Sequence, residues 1–588
     1  MRRARWQRRS GAVDARYRRR AEALPPLRWD HAGLARVAAW RAGERPVALA
    51  QDAADAALEG RFRFLSREEA LGDPVDWFRP DLDQGTRLWK THLHEFSFAT
   101  DLARAARRTG DPRYRARLFD LARGWRAAAP IGCRDFALDS WNARAVATRL
   151  VHWAVAGRTL DLAADDPDAQ WLGREIGLHG LFLRDNLELD LRGNHLFRDA
   201  VGLVFANELV GGVPDALDWL EAQVDEQVLP DGGHQERAPL YHALCTRDLL
   251  EVRLLLGAAS PDWLDDALGR MSGFLAAIAL GDGEIPLLGD GWLGEVSTPA
   301  LLAAAAREVP ARPPERPERH SGLATLTAGP WRAVVRAGPH APDEQMGHAH
   351  ADLLSLDASC GERRVVTDTG TLLYDPGPER DRLRGTLAHN TLRIDGEEQL
   401  EVWSSFRAGR RGRARFGGRG RVRTAGGGTW RWLAASHDAY SWRPGLPMHH
   451  RLVALGDAGL VILDFVAGSG VHRIESGLHA HPDAADVPFA ALGAQPATAR
   501  EAPLHERFGE TRPMTRHGVD VTAPLPWVGG WAVGDVARFH RRVLRLDGPR
   551  VELAIEGSVP LRIAWRPDVD QASEAVFLAL PGPARAAN

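Results

Sequence analysis

From about residue 90 to residue 308, apolar positions recur every three to four residues, the period of a helix with one buried face. THLHEFSFATDLARAARRTG (91–110) carries this period, and Gly110 supplies a stop. DPRYRARLFDLARGWRAAAP (111–130) opens on Asp-Pro and closes at Pro130. Blocks of the same texture follow near 140–158, 171–188, 196–210, 214–228, 239–257 and 261–281. No fixed repeat is visible, yet a long array of antiparallel helices predicts an α/α toroid or solenoid. VPARPPERPERH (309–320) holds four prolines, cannot continue a helix and reads as a linker. Beyond it, GLATLTA, WRAVVRAG, DLLSLDAS, RRVVTDTG, NTLRID, RLVALGD and GLVILDFVAG are short, β-branched or alternating, and separated by Gly, Asp and Pro turns. That pattern predicts an antiparallel β-sandwich. The expected class is therefore α+β multidomain. A basic arm and lead-in (1–84) precede a toroid (85–308), a linker (309–320) and a sandwich (321–588).

Composition narrows the function classes. The 588 residues carry 75 basic and 78 acidic side chains, a net charge of −3. A general nucleic-acid binder is normally basic, so that class is disfavoured. No apolar run reaches the length of a membrane span. Cys133, Cys245 and Cys360 are too scattered for a disulfide framework or a cysteine-rich zinc site. Lys90 is the single lysine, so a Schiff base would have to use it. Residues 1–20 hold nine arginines with no apolar stretch after them. They read as a solvated or disordered arm, with an anionic-surface contact as the functional alternative. No signal peptide is recognisable, which predicts a cytoplasmic protein and leaves periplasmic or extracellular placement open.

Five polar clusters stand out: RGNHLF (192–197), LPDGGHQERAPLYH (229–242), GHAHADLLSLD (347–357), VVTDTGTLLYDPG (365–377) and LAHNTLRIDG (387–396). Each has a plain structural explanation. Asn194-His195 suits a helix start, Tyr241 suits core packing, and Asp368 suits an Asx turn. On a strand, His348 and His350 would share one face because the strand period is two. Taken together they are less ordinary. Two of only five tyrosines, Tyr241 and Tyr374, fall in these clusters. Polar groups at helix starts and strand ends are expected to converge on one cleft between the halves.

In this order the five motifs, over roughly residues 85–470, resemble the heparinase II/III and alginate lyase-like polysaccharide lyases. The resemblance implies β-elimination on a uronic acid and a heparinase II/III-like C-terminal sandwich. Such a reaction must neutralise the uronate carboxylate, remove the C5 proton and protonate the departing C4 oxygen. By resemblance, Asn194 would donate to the carboxylate, and His195 would flank the C5 proton as base or orienter. Tyr241 would shuttle the proton, His348 would stabilise the carboxylate from the sheet half, and Tyr374 would match a second active-site tyrosine. Glu236, Arg237 and His242 surround Tyr241 in sequence. Arg237 and His242 would supply the cationic or hydrogen-bonding neighbours that a basic phenol needs. The resemblance also implies a structural Zn2+ on His350, Asp368 and His389, with an open fourth position, and no organic cofactor.

Further substrate contacts are expected from Trp89 and His94 in the first toroid helix, from Trp141, and from Arg198 and Arg247 one turn beyond the toroid motifs. Trp403 is expected on the cleft rim. The partner is a uronate-containing polysaccharide or oligosaccharide, with the oligomeric state open between monomer and homodimer. Two other readings use the same residues: a glycoside hydrolase drawing on Glu95, Asp231 or Glu236, and a non-catalytic polysaccharide-binding protein of an exopolysaccharide pathway.

Overall fold

The computed structural model describes residues 2–83, 87–133, 136–423, 428–548 and 550–567. The end of the expected sandwich, 568–588, lies outside the described residues. The chain divides into two units. One holds 1–228, 244–272 and 301–311; the other holds 229–243, 273–300 and 312–588.

The first unit is helical and follows the apolar period. Ser97–Thr109, Ala143–Thr159 and Gly193–Leu209 pack in succession, each beside Pro112–Ala128, Pro167–Asp185 or Ala216–Gln227. This layering is that of an α/α toroid. Local chemistry sets the starts. Asp111 and Asp166 each accept hydrogen bonds from the first-turn N–H groups and are followed by proline. Close packing needs a small residue at Gly202, where an added Cβ would stand 2.7 Å from Cβ of Ala147. The core is aromatic: Trp125, Trp141 and Trp153 surround His179, and Phe96 packs edge-on against Trp125 and Trp153.

Two expectations change here. The periodic stretch 91–110 is two helices, Arg87–Glu95 and Ser97–Thr109, because Phe96 takes a left-handed conformation (φ 62°). The basic arm is a helix, Arg2–Glu22, tied into the unit. Asp14 accepts from Arg126 Nη2 (2.5 Å) and Ile131 N (3.0 Å), and Tyr17 donates to Asp185 Oδ2 (3.0 Å). These bonds satisfy a buried carboxylate, so the second half of the segment is structural.

The second unit is an antiparallel sandwich. An eight-stranded sheet containing Leu323–Ala328, Trp331–Arg336, Leu356–Cys360, Arg363–Val366 and Val471–Ala480 faces a six-stranded sheet. The latter runs Ala414–Arg423, Thr429–His437, Met448–Gly456, Gly459–Ala467, Trp527–Val533, Phe489–Ala491. Leu326, Val335, Leu356, Val453, Ile462 and Trp531 fill the space between them. A three-stranded sheet, Phe539–Asp547, Arg550–Gly557 and Leu561–Trp565, covers the other face of the six-stranded sheet through Leu553 and Ile563 against Leu452 and Leu463. The central strands of the six-stranded sheet are therefore apolar on both faces, which explains runs such as GLVILDFVAG.

The unit boundary differs from a single linker at 309–320. Residues 273–300 belong with the sheets because Gly281 N donates to Ser359 Oγ (2.8 Å), Leu287 N to Asp357 Oδ2 (2.8 Å) and Gly289 N to Asp352 Oδ2 (3.1 Å). Residues 347–353 are a loop and not the expected strand. His348 and His350 are brought together by a shared acceptor and not by the pleat.

Candidate functional site

In the helical unit, Asn194 and His195 occupy the first turn of Gly193–Leu209. His195 Nδ1 donates to Glu188 Oε2 (3.0 Å) and its side chain is 32% exposed. Glu188 also accepts from Asn142 Nδ2 (2.8 Å) and Arg144 N (3.2 Å). Burial opposes the charge on Glu188, but the hydrogen bond from His195 holds its carboxyl below the usual range. Arg144 Nη1 donates to Asn194 Oδ1 (3.0 Å), which fixes the flip of the amide and leaves its NH2 as the donor end. Arg144 in turn lies 3.8 Å from Glu95 Oε1, and Glu95 pairs with His92 Nδ1 at 2.9 Å. Burial alone would raise the Glu95 carboxyl, yet His92, Arg144 and Arg198 hold it down to about 2.

In the sheet unit, Tyr241, Tyr374 and His348 form one cluster. The phenol oxygens of Tyr241 and Tyr374 are 2.7 Å apart, and the His348 ring stacks on Tyr241 with centroids 3.6 Å apart. Buried Asp290 anchors the cluster. It accepts from His348 Nδ1 (2.9 Å) and His350 Nε2 (2.9 Å), and forms a two-point pair with Arg380 (2.5 and 2.8 Å). Burial opposes ionisation of Asp290, but Arg380 and the two imidazoles hold its carboxyl well below the usual range. Arg380 also lies 4.8 Å over the Tyr374 ring. Trp292, Phe406 and Phe508 enclose Tyr374. Burial, Asp290 and Tyr241 raise the Tyr374 phenol well above its ordinary value. Tyr374 therefore stays neutral and can donate to charge developing on Tyr241 Oη.

His389 Nδ1 donates to Asp368 Oδ2 (2.7 Å), as His350 Nε2 does to Asp290. The other ring nitrogens, His350 Nδ1 and His389 Nε2, are buried without hydrogen-bond partners, and the rings lie 5.2 Å apart. An imidazole held by a carboxylate on one nitrogen and open at the other is the usual state of a metal ligand. The two imidazoles thus fit a cation, whereas Asp368 is engaged with His389 and with Gly370 N (3.3 Å). Among the described residues, no group of three or more His, Cys, Asp or Glu side chains is already arranged around a metal position.

Several expected substrate contacts are packed inside. Trp89 is 2% exposed and donates to Arg67 O (3.0 Å). Trp141 is 1% exposed and donates to Ala129 O (2.9 Å). His94 is buried and accepts from Trp125 Nε1 (3.1 Å). A sugar face has no access to these rings. Buried Arg198 is neutralised by Asp248 (2.7 Å) and Glu251 (3.4 Å), so its charge is already committed. Arg247 lies 4.0 Å from Asp248. Glu236 is buried, accepts from Gln345 Nε2 (3.3 Å) and stands 4.0 Å from His348 Nε2. Arg237 donates to the carbonyls of Gln235 and His320, and burial beside Arg336 lowers its guanidinium to about 10. His242 meets Phe274 edge-on. Trp403 is open, at 64% exposure. The anchoring residues Glu188, Asp290 and Arg380 were not foreseen. Asp290 sits in GDGWLG with no more signal than a turn carries.

Residues 29–312 match the model of the heparinase II/III N-terminus, and residues 310–549 match the heparinase II/III-like C-terminal model. The chain belongs to the heparinase II/III-like family. A crystal structure of heparinase III shares the fold at 15% identity and TM-score 0.67, covering 88% of this chain and 91% of that one. A mutant of the heparan sulfate lyase HepC from Pedobacter heparinus does so at 16% identity and TM-score 0.57, covering 95% and 94%. FtsZ-localized protein C of Caulobacter vibrioides (strain NA1000 / CB15N) is 27% identical over 350 residues, 57% of this chain and 56% of its own length. The chain thus spans little more than half the length of that curated relative. Among the described residues, no helix of this heparinase II/III-like protein is long and apolar enough to cross a membrane.

Proposed function

We propose that this protein cleaves a uronate-containing polysaccharide by β-elimination and leaves a 4,5-unsaturated uronate end. The observation that carries the reading is the contact between Tyr241 and Tyr374, 2.7 Å apart, under an imidazole fixed by Asp290. A base removes the C5 proton, the electron pair forms the C4–C5 double bond, and the C4–O4 bond breaks as an acid protonates O4. Tyr241 Oη serves as the acid, and as the base for one uronate epimer; His195 serves as base or orienter for the other. Tyr374 donates to Tyr241 as charge builds there. His348 neutralises the carboxylate, without which the C5 proton is too weakly acidic.

On the same reading His350 and His389, with Asp368, would hold Zn2+. The ion would brace the loop that presents His348, a structural role. Elemental analysis of pure protein and melting with and without a chelator test this. A metal-free protein whose melting ignores both chelator and His350→Ala overturns it.

The reaction is tested on heparan sulfate, heparosan, alginate and hyaluronan by the ultraviolet absorbance of an unsaturated uronate and by product mass. Elimination adds no water, so the product masses sum to that of the substrate. Products heavier by one water establish a hydrolase instead, and no product from any polymer removes the lyase reading.

A further inference from the structure

Strand Ala414–Arg423 forms one edge of the six-stranded sheet, and its Arg415, Arg419, Arg421 and Arg423 are all exposed. On the neighbouring strand Thr429–His437, Leu433 and Ala435 point into the core between the two large sheets. The strand period of two puts Arg431 and Thr429 on that same inner face. The register sets Arg421 opposite Arg431 and Arg423 opposite Thr429, so all four share it. The inner face of the sandwich thus changes from apolar to cationic where it leaves the core. Thr327, Ala328 and Gly329 form the facing wall, and Asp457 closes one end, around a cavity of about 590 Å³.

Two features separate this groove from an ordinary charged edge. Like charges directly opposite on paired strands are unfavourable, yet Arg421 and Arg431 are so placed. The neighbouring Arg419 is engaged by Glu318 Oε2 (3.3 Å). The side chains of Arg421, Arg423 and Arg431 have no hydrogen-bond or ion-pair partner among the described residues. Three guanidinium groups face a single carboxylate. We infer that this groove is a second, non-catalytic binding site for a segment of an anionic polysaccharide. The inference rests on the reading that the substrate is such a polymer. Guanidinium forks match carboxylate and sulfate groups alike. Alternate residues of a strand stand about 6.8 Å apart, so Arg421 and Arg423 offer a row of charges, which suits a chain better than a lone ion. Asp457, Thr327 and Thr429 supply partners for sugar hydroxyls. Tyr241, Tyr374 and His348 are not among the lining residues.

The test uses the full chain carrying Tyr241→Phe, so that polymer is not consumed, titrated calorimetrically with heparosan and alginate chains at two salt concentrations. Adding R421Q, R423Q and R431Q together is expected to weaken binding of at least one polymer about tenfold or more and to flatten its salt dependence. R421Q alone is expected to weaken binding by a smaller factor, which keeps the test usable if the triple variant melts early. Unchanged affinity in both variants overturns the proposal. A poly(dT) oligonucleotide that binds more tightly than either polysaccharide, and is lost in the triple variant, overturns the glycan assignment in favour of nucleic acid. If the wild-type chain cleaves a polymer whose binding ignores the three arginines, the groove fails and the lyase reading stands. If a polymer binds through the arginines and no polymer is cleaved, the groove stands and the lyase reading fails.

Discussion

In the helical unit the imidazole of His195 is 32% exposed and leans on one carboxylate, Glu188. In the sheet unit the imidazole of His348 is 9% exposed and shares Asp290 with His350 and Arg380. The first arrangement can lose a partner to water. The second cannot, because Arg380 would be left with uncompensated charge, and both imidazoles without their acceptor, in a dry interior. The helical unit thus holds chemistry that can be altered with little cost to folding, whereas in the sheet unit the site and the core are the same residues. Substitutions on the two sides should separate rate from stability.

The largest separation is expected at Tyr241. Removing the hydroxyl in Tyr241→Phe leaves the ring stacked on His348 and deletes the group proposed to move the proton. Turnover on a cleaved polymer should fall by about 10²–10⁴, against a stability cost of only about 1 kcal/mol for the lost bond to Tyr374. A variant with full turnover would remove the tyrosine from the mechanism.

Next comes Asp290→Ala, where stability should move as much as rate. Arg380 would be left buried without its carboxylate, and His348 without its anchor. A loss of roughly 3–5 kcal/mol is expected from chemical denaturation. A cost under about 1 kcal/mol would show that the sheet-side cluster is as replaceable as the helical one.

Much of this architecture was legible. Asp111-Pro112 and Asp166-Pro167 mark helix starts because the cap and the fixed φ act within one turn. The change of period after residue 320 marks the sheets. Two histidines two apart suit a pleat, so 347–353 reads as a strand, while the actual cause of their closeness is Asp290, 58 and 60 positions away. In sequence, Trp89 and Trp141 suit a sugar platform as well as a core, because tryptophan serves packing and recognition with the same surface, and only burial tells the two apart. The three-stranded outer sheet was invisible because an apolar strand does not say whether one or two layers cover it.

A smaller effect concerns pH in the helical unit. Glu95 is held at about 2, below its ordinary 4.5. Its depressed folded value means that its contribution is full above about 4.5 and is lost as pH falls through about 2. That contribution is roughly 3 kcal/mol at most. Comparing wild type with Glu95→Gln by denaturation at pH 6 and pH 3 should show the wild-type advantage shrinking at the lower pH. An advantage independent of pH would mean that packing, and not the carboxylate charge, is what Glu95 supplies beside Arg144.

The smallest effect, and the sharpest for the comparison, is Glu188→Gln. The amide oxygen can still accept from Asn142 Nδ2 or Arg144 N, so the turn before Gly193–Leu209 should survive and the melting temperature should move little. The charge that orients the imidazole is gone. If His195 acts as the base for the cleaved epimer, kcat should drop by about tenfold or less with KM nearly unchanged. If His195 only orients the sugar, KM should rise with kcat nearly unchanged. Glu188 is thus the residue through which base and orienter can be told apart without touching the imidazole itself, a distinction the tightly built Asp290 cluster does not permit for His348.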